Sequence, residues 1–244
     1  MVGHDAEHKS NADSVAAERL FRLLAENLKL PFLQIARRAE LARLTNEPLE
    51  FLDSIELTAD TALQLLDNYL LSLRLSRQLA VHMEPVSVAA VLHDTAHKLE
   101  KLAKQYNCEV ELHISGKYEP IMAHKTGLTA ALESLGYVFI EAQSTRAHEH
   151  RPVIKLAAHR GKKGIVAGMF ADMEGLSADM YRRARALYGQ APQPLSQFTA
   201  ASGAGVFVAD SLLASMSANL RIAHHQKLTG LAATFRPSRQ MSLV

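Results

Sequence analysis

Several things are scarce in this 244-residue chain, and each scarcity closes off a class of protein. There is one cysteine, Cys108, so no intramolecular disulfide can form, and the chain suits a reducing compartment. No apolar run approaches the ~18 residues of a membrane span. The opening stretch MVGHDAEHKSNADS is polar, without the apolar core of a secretion signal. These features predict a soluble cytoplasmic protein with no membrane span. Net charge is only +2, from 27 basic and 25 acidic residues, so no charge excess points to nucleic acid. Twelve histidines are present, yet none lies between positions 9 and 81. Hydrophobic residues make up 48% and charged residues only 21%, which is enough apolar material for a substantial core.

The apolar pattern changes once along the chain. From Leu20 the apolar positions run Leu24, Leu28, Pro31, Ile35, Ala39 and Ala42, in steps of three and four. That is helical spacing. The TNEP segment at 45–48 interrupts it, and Pro48 is suited to the first turn of a second helix. The second seam is Leu52, Ile55, Ala59, Ala62, Leu66, Tyr69 and Leu73, again alternating three and four. The two segments predict an antiparallel helical hairpin. Extra leucines beside the seam, among them Leu23, Leu30, Leu63, Leu65 and Leu70, leave more apolar surface than two helices can cover. A second copy could cover it, giving a four-helix bundle in a homodimer, or the rest of the chain could.

After position 84 helix and strand patterns alternate. A helix is expected over 86–106, a strand in CEVELHI, a short strand ending in PIM, and a helix in KTGLTAALESLGYVFIEAQ. PVIKLAAHR and IVAGMFAD read as strands joined by GKKG, followed by a helix in SADMYRRARALY. GQAPQPLSQFTA reads as a loop, GVFVADSLLASM as a helix, and LRIAHH with LAATFRP as a closing hairpin. The fold class is therefore α+β, a helical hairpin followed by an α/β sandwich with one helical layer on a mixed sheet. The expected divisions are a disordered tail at 1–13, the hairpin at 14–82 and the sandwich at 84–238.

This order resembles the catalytic core of sensor histidine kinases, and the likeness covers residues 15–237. Pro31 in the first helix is similar to the proline that follows the family's phosphoacceptor histidine by five residues, and LLDNYLLSLRLSR at 65–77 resembles the family's second helix. Counting back five from Pro31 reaches Glu26, with Asn27 next, so a glutamate occupies the phosphoacceptor position. Glu26 could be an exposed helix residue or could imitate a phosphorylated state.

The second half resembles the ATP-binding domain shared by gyrases, heat-shock chaperones and histidine kinases, the Bergerat or GHKL type. The helix that carries two asparagines in that family has Ser134 and Val138 at those positions, or Glu133 and Tyr137 one residue earlier. Neither register offers an asparagine for magnesium, and valine has no oxygen for a hard cation. Glu133 and Glu141 read as solvated.

FADMEGLSADM retains Asp172 and Gly175 of the family's adenine-contacting box, and ASGAGVFVADSLLA retains Gly203 and Gly205 at a helix start. LTGLAATFRPS is similar to the family's final strand. The loop 189–199 stands where the family has its ATP lid but carries no group to reach a γ-phosphate. A helix start rich in small residues favours an anion, and the resemblance implies that Asp172, Gly175, Gly203 and Gly205 are a vestigial nucleotide pocket.

With no phosphoacceptor histidine and no metal asparagine, the resemblance implies a non-catalytic dimeric regulator, a pseudokinase in two-component signalling. Its partner would be a response-regulator receiver domain or a kinase. No cofactor is expected on that reading. The alternative is a divergent kinase or phosphotransferase that still binds ATP or ADP. A third reading is a module using the old pocket for another ligand. The histidine pairs His93/His97, His148/His150 and His224/His225 read as surface or structural rather than as a zinc site.

Overall fold

The computed structural model describes residues 25, 28–29, 31–44, 48–144, 150–173, 175–186 and 203–238. The tail at 1–13, Glu26 and the 189–199 loop lie outside the described residues.

Helix α1 (residues 31–44) includes Pro31 and lies beside α2 (Pro48–Ser76). The guanidinium of Arg38 joins them, donating to the Ser54 carbonyl at 2.9 Å and to Thr58 Oγ1 at 2.7 Å. Tyr106 donates to Gln34 Oε1 at 3.3 Å, tying α1 to the C-terminal end of the helix Val88–Gln105.

The remaining elements follow in the expected order: β1 (Glu84–Val86), α3 (Val88–Gln105), β2 (Glu109–Ile114), β3 (Ile121–Ala123), α4 (Lys125–Ser144), β4 (Val153–Gly161), β5 (Gly164–Ala171), α5 (Ala178–Ala186), α6 (Gly203–Ser215), β6 (Arg221–His225) and β7 (Leu228–Phe235). Strand β1 is the one element absent from the sequence reading. Its three residues pair antiparallel with β3, too short a stretch to show alternation.

The main sheet has the order β2-β4-β5-β7-β6. Strands β2 and β4 are parallel, and the other neighbours are antiparallel. This is the mixed sheet and single helical layer expected from the sequence. One face of the sheet supplies Ile154, Leu156, Ile165, Met169, Leu231 and Phe235 to the main core, facing α3, α4 and α6. Alternation along the strands puts Ala157, Val166, Phe170 and Ala232 on the other face, where they form a second, small buried cluster.

Helix α4 is buried almost all round, because it has neighbours on every side. It touches α3, α6, β5 and α2. Contact with α2 answers the question of the surplus leucines in part. Tyr69 and Leu75 belong to the main core, with Leu66, Leu71 and Leu73 packed against it. The C-terminal half of α2 is thus covered by this chain's own α4 and α6. Leu52, Leu63 and Leu70 remain exposed on α2, as do Phe32, Leu33 and Leu44 on α1.

Candidate functional site

Ser134 and Val138, set at the asparagine positions by the first of the two registers of the resemblance, are closed in by different elements. Ser134 is fully buried. Its hydroxyl donates to the Ala130 carbonyl at 2.8 Å and receives the Asn68 amide of α2 at 3.2 Å. Asn68 also reaches the Ala130 carbonyl at 3.3 Å, and its own Oδ1 accepts from Gln64 at 3.0 Å. Asn68 is only 2% exposed. A buried polar side chain is costly unless its groups are paired, and this one is paired on both its nitrogen and its oxygen. It therefore fixes where α2 sits on α4.

One turn further along α4, Val138 is 2% exposed and packs against α6. The partner surface there is Gly205. A Cβ at Gly205 would lie 2.5 Å from Val138 Cγ2 and 3.2 Å from the Ser134 carbonyl. Gly205 is therefore required by the close approach of α6 to α4, with the Val138 methyl occupying the space between them.

Glu133 differs from the sequence expectation. It is not solvated: it is 2% exposed, and its Oε1 lies 2.6 Å from Lys98 Nζ on α3. The apolar neighbours on α3 and α4 bury the carboxylate, and the lysine supplies the countercharge that makes this tolerable. Tyr137 is half-buried beside it, and its phenol is pushed up by burial first and by the Glu133 charge second. In the alternative register, then, the carboxylate is engaged by Lys98.

Asp172 follows β5 and is exposed, with its carbonyl accepting from Gln143 at 3.0 Å. Gly175 has φ 79°, a left-handed conformation that suits glycine, in the turn between Met173 and Leu176. Gly203 begins α6. Asp172 lines a cleft of about 640 Å³, together with His150, Arg151, Lys155, Lys227 and Leu228. Among the described residues no α6 residue lines that cleft.

Helix α5, which leads toward the 189–199 loop, is clamped to α6 by Arg185 Nε at 2.9 Å from Asp210 Oδ2. Burial pushes the Asp210 carboxyl up, and the Arg185 charge opposes the shift.

Two sets of histidines stand out, one on α3 and one on the sheet. His93 and His97 are exposed on α3 beside Asp94 and Glu100. His224 and His225 point to opposite faces of the sheet, as strand alternation requires. His225 is 9% exposed and meets His113 and His159. Among the described residues, no group of three His, Cys, Asp or Glu is placed to hold a metal ion.

Two features escaped the sequence reading. Asn68 sits one residue from the apolar seam in LLDNYLL, and a lone amide within a leucine-rich stretch was the available signal. The His113–His159–His225 grouping joins three strands and had no local signal at all.

No protein-family model matches the chain, and no curated protein matches it. Solved structures do. Histidine kinase ThkA, in complex with the response regulator protein TrrA, aligns with a TM-score of 0.57 at 9% identity, over 96% of this chain and 65% of that one. The Acinetobacter baumannii histidine kinase AdeS aligns at 0.54 and 12% identity, over 87% and 98%. Full-length ShkA in complex with AMPPNP aligns at 0.53 and 18% identity, over 92% of this chain. The chain spans 46% of the ShkA chain's length. The fold is that of the histidine kinase catalytic core. Among the described residues no helix is long and apolar enough to cross a membrane.

Proposed function

We propose that this protein is a histidine-kinase-like signalling protein that does not itself transfer phosphate. It acts as a dimeric cytoplasmic regulator or scaffold, with residues 14–82 as the dimerisation hairpin and 84–238 as a degenerate ATPase-type domain. The observation that carries this reading is the closure of α4: Ser134 is engaged by Asn68, and Val138 is packed on Gly205. Phosphoryl transfer needs a nucleophile and a metal clamp on the phosphates. No histidine is available between 9 and 81, and glutamate stands at position 26.

Exposed apolar side chains on α1 and α2, such as Leu44, Leu52 and Leu63, support pairing with a second copy. A receiver domain is the favoured partner, because ThkA, which shares this fold, forms a complex with a response regulator. A kinase is the other. Asp172, Gly175, Gly203 and Gly205 are then the remains of a nucleotide pocket.

Incubation of the full chain with labelled ATP and magnesium tests the reading. The expected result is no label above background; robust acid-labile label would overturn it. A second reading, a divergent kinase that still binds nucleotide, draws on the exposed Asp172 at a strand end and on ShkA's complex with AMPPNP.

A further inference from the structure

The sheet face turned away from the helices carries an arrangement that signalling by α1 and α2 does not use. Ala157, Val166, Phe170 and Ala232 are buried there, with Ala223 and Leu228 packed beside them. Gly168 lies between Ala157 and Ala232 in register, and Gly230 lies beside Phe170, so the middle of this face has little side-chain bulk. The cover comes from histidines. The His225 ring lies 5.3 Å from the Phe170 ring, centroid to centroid. His113 Nδ1 is 2.9 Å from His225 Nε2, and the His159 ring stacks on His225 at 5.8 Å. His159 Nδ1 is buried, with no hydrogen-bond partner.

We propose that these three imidazoles form a proton-operated cover: closed while the His113–His225 pair carries at most one added proton, and opened when His225 takes up the second, exposing the apolar cluster around Phe170. The chemistry follows from the 2.9 Å contact. Between two neutral rings one nitrogen donates and the other accepts. A first proton can be accommodated, since one ring still offers an acceptor. A second proton leaves two N–H groups facing each other, and the contact cannot survive. His225 is also hard to charge. Burial pushes its value down first, and His113, His159 and Lys155 add to the shift.

The charged and titratable groups facing it are His113 from β2 and His159 and Lys155 from β4. Phe170 of β5 and Leu228 of β7 are neutral. Glu111 of β2 is held by Lys155 at 3.2 Å, which tempers but does not remove the positive surroundings. His224 is turned away, with its Nδ1 3.3 Å from Thr229 Oγ1.

The sign follows directly. The folded value lies below the ordinary 6.5, so the closed state is fully favoured above 6.5 and is lost as the pH falls through the folded value.

An NMR titration of the imidazole and Phe170 ring signals in the full chain tests this, alongside binding of an apolar-surface dye. His225 is expected to titrate below the ordinary 6.5, with the Phe170 signals moving as His225 takes up charge. Dye emission should rise severalfold over the same interval. His225→Phe keeps a ring over Phe170 but has no titrating nitrogen, and should flatten the dye response; His113→Phe serves the same purpose if the first variant does not fold. The proposal is overturned if His225 titrates at or above 6.5, or if the Phe170 signals and the dye stay unchanged while His225 gains its charge.

Discussion

Asn68→Asp is expected to cost about 3–5 kcal/mol at neutral pH, as an uncompensated buried charge does. The amide nitrogen now donates to the Ala130 carbonyl at 3.3 Å. In the variant a carboxylate oxygen would face that carbonyl oxygen in a site only 2% exposed in the native chain. Gln64 could still donate to the other oxygen, and the Ser134 hydroxyl could turn toward the charge, so the loss stays within that range. The pH dependence has a definite sign. Burial raises the folded-state value of the new acid above its unfolded value of about 3.9. The penalty is therefore absent below about 3.9 and complete above the folded value. Asn68→Ala removes the donor without adding charge and should cost only about 1–3 kcal/mol, with no such pH dependence. Urea unfolding at neutral and acidic pH measures both. Equal stability of Asn68→Asp and the native chain would mean that α2 is not seated on α4 in solution.

Gly205→Ala is expected to destabilise by about 1–3 kcal/mol through overpacking. Its new methyl would sit 2.5 Å from Val138 Cγ2, and Val138 is walled in and cannot retreat. Alanine's better helix propensity, worth at most about 1 kcal/mol, works against this loss and does not reverse it. Val138→Ala alone leaves a hole and costs on the order of 2 kcal/mol. Together the two changes should cost less than the sum of the singles, because one methyl takes the space the other vacates. A coupling of about 0.5–3 kcal/mol is the range for residues in contact. Additive losses would show that the α4–α6 contact at these positions is not the one described.

Much of the sandwich was legible in the sequence because its elements advertise themselves locally. The β4–β5 pair announces itself by two apolar runs around GKKG, and α4 by a long glycine-tolerant apolar stretch ending near Gln143. Strand β1 was not legible, since three residues carry no period. Glu133 was misread as solvated because its burial depends on Lys98, 35 positions away on a different helix. The surplus leucines of α2 could be counted, but their covering could not be decided from spacing. A heptad seam looks the same whether a second hairpin or a sandwich lies against it. His225 shows the limit most clearly. Beside His224 it reads as half of a surface pair, yet strand alternation turns it onto Phe170, where it meets rings from β2 and β4.

The position of Asp172 bears on the second functional reading. It is exposed beside four cationic or protonatable side chains, His150, Arg151, Lys155 and Lys227, in a cleft that no described residue of α6 lines. A nucleotide there would have phosphate-attracting groups on one side.

The most direct measurement is calorimetric titration of the full chain with ADP and magnesium. A closed α4, with Asn68 on Ser134 and Val138 on Gly205, should give no binding heat at millimolar nucleotide. A saturable one-to-one isotherm in the micromolar range would contradict it.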